Sequence, residues 1–256
     1  HTFSIHGLAA SGIASAPQVW EEVAKVAKLL TQRTPAGDIK VSGMALGMAR
    51  NVSHYFEILS SMLMQMGEKI IDRQKNSVSL EENTKNALDF YSSFASPTRE
   101  NYGWSARFPN SVDAFAQEKT AMAIVLHEDL ARIADKNPHL RFDSVPFPQF
   151  QNIRAPMVYG EFNFPTVSKF SRDPETAWRF LVFAAMEDGA EIYAKATQRP
   201  PALRSLLTKG PPSDDLYASY RQALIARAWP VPDENSTLKI FGEAIEGIIS
   251  RTLSPE

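Results

Sequence analysis

Residues 167–181 run Val167-Ser168-Lys169-Phe170-Ser171-Arg172-Asp173-Pro174-Glu175-Thr176-Ala177-Trp178-Arg179-Phe180-Leu181. Aspartate followed directly by proline starts a helix for two separate reasons. The carboxylate accepts from the unpaired N–H groups of the first turn, and proline, with no N–H to lose there, presets the helical φ. Ala177, Phe180, Leu181 and Ala184 then recur at helical spacing. The pattern predicts a helix with an apolar inner face, and Trp178, on such a stripe, is expected in the core.

Outward from this stretch the chain alternates between helical and extended patterns. Residues 157–167 read as extended, and Pro165 demotes them to an edge or irregular strand. Arg199-Pro200-Pro201 and Gly210-Pro211-Pro212 mark breaks, with helices expected over 214–227 and 235–250, the last facing Phe241, Ile245, Ile248 and Ile249 inward. Toward the N-terminus, a helix is expected over 17–30, with Pro17 in its first turn and Trp20, Val23, Ala27 and Leu30 on one face. A turn at 34–38, a strand at 39–47 and a helix at 52–66 follow. Ser79-Leu80-Glu81-Glu82 matches a capping box before a helix that carries Leu80, Ala87, Leu88, Tyr91 and Phe94 and is ended by Pro97. A short helix near 112–116, a buried strand at 120–126, a helical turn at 130–134 and a strand at 142–147 complete the series. Helices outnumber strands and the two alternate, which favours a layered α/β fold.

The 256 residues suffice for one large α/β domain or two lobes. Apolar and charged fractions of 44% and 22% are those of an ordinary globular chain. A net charge of -2 without a basic block argues against nucleic acid as a partner. No apolar run approaches the roughly 20 residues needed to span a bilayer, and no stretch reads as a signal peptide. With no cysteine, disulfides, thiolate metal sites and cysteine nucleophiles are all excluded. The opening His1-Thr2-Phe3-Ser4-Ile5, without an initiator Met, reads as a chain cut within a longer protein.

There is no phosphate-cradling glycine loop and no nucleophile elbow. The five histidines are dispersed, so no metal and no cofactor are expected. His127-Glu128-Asp129 is the densest polar cluster, readable as an acid/base or metal group or as a polar cap at a strand-to-helix junction near a positive dipole end. The group Met44, Met48, Met62, Met64 and Met66 fits a greasy groove or core packing. Tyr102, Trp104 and Trp229 could stack on a ligand or plug the core.

Several phrases together resemble family 1 extracellular solute-binding proteins, the sugar-binding relatives of maltose-binding protein. Residues 12–22, Gly12-Ile13-Ala14-Ser15-Ala16-Pro17-Gln18-Val19-Trp20-Glu21-Glu22, are similar to the family's hinge-to-helix phrase, with Val19 where threonine is usual. Ser42-Gly43-Met44-Ala45-Leu46-Gly47 resembles its next strand. Ala114-Phe115-Ala116-Gln117-Glu118-Lys119-Thr120-Ala121-Met122 follows its next motif, with Glu118 in place of glycine, and Pro146-Phe147-Pro148 resembles its proline strand end. The match is most specific over 167–181. Glu191-Ile192-Tyr193, then Pro200-Pro201-Ala202-Leu203-Arg204, and the closing Leu253-Ser254-Pro255-Glu256 keep the family's order.

The resemblance implies a periplasmic-binding-protein type II-like α/β fold: a mixed sheet flanked by helices, comprising a C-terminal lobe plus part of the N-terminal lobe. Residues 1–157 and 205–256 would form the C-terminal lobe, and 158–204 the hinge crossing and a remnant of the N-terminal lobe, with apolar surface left exposed. The implied function is capture of a small-molecule solute, a sugar, and its delivery to the membrane subunits of an ABC transporter. The implied protein is a monomer at the periplasmic or extracellular face of the cytoplasmic membrane, lipid-anchored in its full-length form. Cleft residues would come from Arg50, Asn51, His54 and Tyr55, from His127 and Glu128, from Tyr159, Glu161 and Asn163, and from Asn235, Ser236 and Lys239, with Trp104 as a stacking candidate. The lack of an aromatic at 128 speaks against a long maltodextrin-like ligand. Two other classes stay open: a glycosidase using Glu128 and Glu161, which would have to face each other at about 5 to 9 Å, and a degenerate lobe serving as an interaction module.

Overall fold

A computed structural model of the protein describes residues 2–5, 13–68, 70–72, 77–78 and 82–253. In chain order the elements are β1 (Thr2–Ile5), α1 (Trp20–Leu30), β2 (Gln32–Arg33), β3 (Ile39–Met44), α2 (Tyr55–Gln65), β4 (Ile71–Asp72), β5 (Ser77–Val78), α3 (Glu82–Ser93), α4 (Ser111–Ala116), β6 (Thr120–Val125), α5 (His127–Lys136), β7 (Asp143–Pro146), β8 (Val158–Tyr159), α6 (Pro174–Ala185), α7 (Glu187–Thr197), α8 (Arg204–Thr208), α9 (Tyr217–Ala223), β9 (Ala226–Arg227) and α10 (Glu234–Ile249). The main sheet has the order β2-β3-β6-β1-β7. Its strand β6 is buried along its whole length, as a continuous apolar run flanked on both faces requires. β3 pairs with β6 in parallel, while β1 runs antiparallel to both β6 and β7, so the sheet is mixed.

Helices α1 and α4 pack on this sheet, while α2, α3 and α10 pack on one another. Trp20, Val23, Ala27 and Leu30 of α1 are buried, and Trp20 is 0% exposed. Its indole meets Phe147 edge-on at 5.3 Å and donates through Nε1 to Gln65 Oε1 at 3.2 Å. Burying such a ring is worth roughly 2 to 3 kcal/mol. The Gln65 carboxamide is used fully: Oε1 also accepts from Phe150 N, and Nε2 donates to the carbonyls of Pro148 and Met157. One side chain thus anchors the loop 148–157 to the end of α2 and fixes where β8 begins. Met44, Met48 and Met62 belong to the same core.

Several expectations are corrected. α1 begins at Trp20 with Val19 as its cap, so Pro17 lies outside the helix. α5 starts at His127 and runs three turns, because Glu128 and Asp129 in the first turn favour initiation there. The expected helix over 214–227 breaks up into a 3₁₀ turn, the short α9 and β9, which pairs in parallel with β8. The capping-box residues Ser79, Leu80 and Glu81 lie outside the described residues.

The largest correction concerns α6. Asp173 caps it as expected, accepting from Thr176 N at 3.0 Å, with Pro174 in the first turn. None of its residues is buried: Trp178 is 54% exposed, and Phe180 and Phe183 are exposed as well. The helix packs against α7; of its expected inner face Ala177, Leu181 and Ala184 are half-buried and Phe180 is exposed, as are Phe162, Phe164 and Phe170. A groove of about 330 Å³ runs between residues 166–171 and α6, lined by Phe170, Phe180 and Leu181. Trp178 is therefore a surface residue within these 256 residues.

Candidate functional site

The turn from β3 into α2 positions the site. Gly47 takes a φ of 106°, and a Cβ there would lie 2.7 Å from Ala95 N, so the loop can pass only as glycine. The loop is then clamped onto α10. Glu246 Oε1 accepts from the backbone N–H of Ala49 and Arg50, and Oε2 accepts from Arg50 Nε at 3.0 Å and Nη2 at 2.6 Å. Burial works against the Glu246 charge, but the guanidinium and the two backbone donors hold its carboxyl below the usual range.

His54 and Tyr55 stand side by side at the start of α2. His54 adopts a left-handed φ of 60°, uncommon outside glycine though histidine is among the residues enriched there. Its Nε2 lies 2.9 Å from Asp129 Oδ2, in the first turn of α5. Asp129 Oδ2 also accepts from Leu126 N at 2.8 Å. Burial disfavours the Asp129 charge, yet the His54 and Leu126 hydrogen bonds outweigh it and lower its pKa. Tyr55 Oη donates to Leu238 O at 2.9 Å, in the first turns of α10. Two consecutive residues thus draw the N-termini of α2, α5 and α10 together. A groove of about 320 Å³ opens between the 49–55 loop and α10, lined by Arg50, Tyr55, Leu238, Lys239 and Glu246 among others. The groove is shallow and largely open to solvent.

The residue of α2 after Tyr55, Phe56, belongs to an aromatic cluster. Phe56 meets Tyr159 at 5.6 Å, Trp229 at 5.5 Å and Phe241 at 5.1 Å, and Trp229 stacks on Phe241. Tyr159 is held at its backbone by Ser61 Oγ. Carboxylates surround the cluster: burial and then the charges of Glu161, Glu57 and Glu234 raise the Tyr159 hydroxyl pKa. Glu57 is itself raised, chiefly by burial and further by Glu161, against the lowering effect of its own backbone N–H and of His54.

The structure therefore brings together Arg50, Tyr55 and Lys239 around one groove, His54 with the first turn of α5, and Tyr159 with Glu161. Glu161, Asn163, Asn235, Ser236 and Lys239 are exposed. Glu128 is exposed and pairs with Arg199 at 2.7 Å, and the Nδ1 atom of His127 is buried without a hydrogen-bond partner among the described residues. Trp104 and Asn51 are placed elsewhere. Trp104 is 0% exposed, stacked on Phe108 at 4.7 Å, with its Nε1 donating to Asn51 Oδ1. Asn51 Nδ2 donates to the carbonyls of Ser105 and Phe108. That network consumes both side chains, so neither presents a free face to the groove. Sequence reasoning missed Glu57, Glu246 and Arg199. A carboxylate inside the apolar stripe of residues 52–66 was a usable signal for Glu57; Glu246 and Arg199 act through partners 196 and 71 residues away, which no local pattern reports.

Among the described residues no helix is long and apolar enough to cross a membrane, and no group of three or more His, Asp or Glu is arranged to hold a metal ion. A family model described as bacterial extracellular solute-binding protein matches residues 8–220. No curated protein sequence matches the chain. Among solved structures, similar folds include a solute-binding protein of an ABC transporter from Thermotoga lettingae bound with α-D-tagatose (TM-score 0.70, 17% identity, 100% of this chain and 66% of that one). A cyclo/maltodextrin-binding protein complexed with maltotetraose gives a TM-score of 0.76 at 13% identity, over 100% of this chain and 64% of that one. UgpB from Mycobacterium tuberculosis with glycerophosphocholine gives 0.68 at 16%, over 99% and 63%. The chain spans just under two thirds of the length of these proteins.

Proposed function

The chain belongs to the bacterial extracellular solute-binding proteins, and on that premise we propose that it captures a small polar solute, a carbohydrate, outside the cytoplasmic membrane and delivers it to the membrane subunits of an ABC importer. The observation that carries this reading is the convergence of three helix N-termini, through His54–Asp129 and Tyr55–Leu238, beside a groove of about 320 Å³. Sugar recognition calls for polar groups that pair with hydroxyls and an apolar wall for the ring. In this reading the exposed Glu161, Asn163 and Lys239 would supply the first, and the half-buried, mutually stacked Trp229 and Phe241 would offer the second.

In this reading residues 1–157 and 205–256 form one lobe, and 158–204 cross to a second lobe against which the open face of α6 packs. The exposed Trp178, Phe180 and Phe183 support it, since apolar area of this extent on one helix usually marks a contact surface. Capture follows from hinge closure: solute contacts from both lobes favour the closed state, and affinity is limited by the population of that state. The protein works as a monomer and needs no chemistry of its own. Glu128, one of the two carboxylates a glycosidase would need, is exposed and engaged by Arg199. A thermal-shift screen of the full-length protein against monosaccharides, disaccharides and sugar phosphates tests the reading: a concentration-dependent rise in Tm with at least one of them is expected, and none with any would count against it.

A further inference from the structure

Glu128 sits in the first turn of α5, one residue before the Asp129 that binds His54. Its Oε2 accepts from Arg199 Nη2 at 2.7 Å, and among the described residues its other oxygen carries no hydrogen bond. Arg199 follows the C-terminal end of α7, just past Gln198, whose left-handed φ of 56° turns the chain out of that helix. Pro200 and Pro201 come next, and they limit the backbone freedom of the segment that carries the arginine.

A glutamate on an exposed helix start has three rotatable bonds and no fixed direction. A guanidinium placed on one carboxylate oxygen restricts them and leaves the second oxygen with a defined position. We propose that Arg199 is a positioning residue for solute binding: it holds Glu128 through Oε2 so that the free oxygen accepts a hydrogen bond from a solute hydroxyl. This rests on the placement of the solute beside the N-termini of α2 and α5. An acceptor oxygen oriented before binding lowers the ordering cost that the solute contact must offset. The pair joins 158–204 to the body of the chain, so closure and orientation depend on the same contact.

The test is a double-mutant cycle by calorimetric titration of the full-length protein with D-tagatose, maltose, maltotriose and glycerophosphocholine as probes. Glu128→Ala is expected to weaken the best probe about tenfold. Arg199→Ala should weaken it by roughly threefold or more, and the double variant no further than Glu128→Ala alone, the signature of coupled residues. Arg199→Lys should recover part of the loss, because it keeps the cation without the fork. Raised salt should weaken the wild type more than Arg199→Ala, since the pair is half-exposed. The Tm of each variant without probe controls for folding. Loss of affinity in Glu128→Ala with none in Arg199→Ala, or losses that simply multiply, overturns the role of Arg199 alone. No binding of any probe, or no effect of either single variant, overturns it together with the placement of the solute.

Discussion

The imidazole Nε2 of His54 lies 2.9 Å from Asp129 Oδ2, so a residue in a left-handed backbone conformation at the start of α2 is locked to the first turn of α5. A non-glycine residue in that region costs of order 1 kcal/mol and persists only where surrounding contacts over-determine it. Here the contact is shared, since the same carboxylate oxygen takes the Leu126 N–H. The neighbouring Tyr55 reaches the other way, to Leu238. The site is thereby held by two adjacent side chains, and its integrity is open to measurement.

Replacing Asp129 by Asn should cost roughly 1 to 3 kcal/mol at pH 7, the usual range for a hydrogen bond to a charged group lost from a mostly buried position. The Asp129 pKa is depressed in the fold. Its stabilisation is therefore fully present above the unfolded value of about 3.9 and is lost as pH falls through the folded pKa. Urea unfolding should separate wild type and Asp129→Asn at pH 7 and bring them together as pH falls below the unfolded value of about 3.9 and through the lower folded one.

Glu57 behaves in the opposite sense. Burial and the Glu161 charge raise its pKa, so its carboxylate opposes folding at neutral pH, and the penalty fades as pH falls toward the unfolded value of about 4.3. Glu57→Gln should raise Tm at pH 7, by about 2 to 4 °C for each kcal/mol relieved in a chain of this size. Its advantage should vanish near pH 4. A lower Tm at pH 7 would show that the carboxylate has a stabilising partner.

Glu246 carries the 49–50 loop through two backbone and two guanidinium hydrogen bonds. Glu246→Ala should destabilise by about 2 kcal/mol and speed amide exchange at Ala49 and Arg50 above the effect on β6. Unchanged exchange at those two amides would mean the loop is held by other contacts.

The two tryptophans on helical stripes should differ in cost. Trp20→Ala removes a ring that is 0% exposed and strands the Gln65 network, and should cost about 3 to 5 kcal/mol. Trp178 is 54% exposed, and Trp178→Ser in this 256-residue chain should change stability by less than about 0.5 kcal/mol while raising solubility. Equal costs would mean that the open face of α6 is buried in solution.

These contrasts show where sequence reading works. The Asp173-Pro174 start, the buried run of β6 and the Trp20 stripe rest on local rules, and each stands where the pattern placed it. The stripe on α6 obeys the same rule but packs mainly on α7 and leaves Phe180 exposed, because periodicity names a face and not its partner. At the site, Tyr55 and Lys239 entered only as separate cleft positions implied by the family resemblance, and nothing in the sequence set them against each other. Trp104 was ambiguous because a loop aromatic is read identically whether its indole meets a solute or, as here, Asn51. Arg199 and Glu246 depend on long-range pairing, which composition and spacing do not encode.

The most direct test of the solute site is a titration of the full-length protein with its best-binding sugar, comparing wild type with Glu161→Ala and Tyr55→Ala. If the solute lies beside the N-termini of α2, α5 and α10, each variant should weaken binding about tenfold or more, equivalent to about 1.4 kcal/mol, and Glu161→Ala should leave the Tm without sugar nearly unchanged. Wild-type affinity in both variants would contradict the account and place the solute elsewhere.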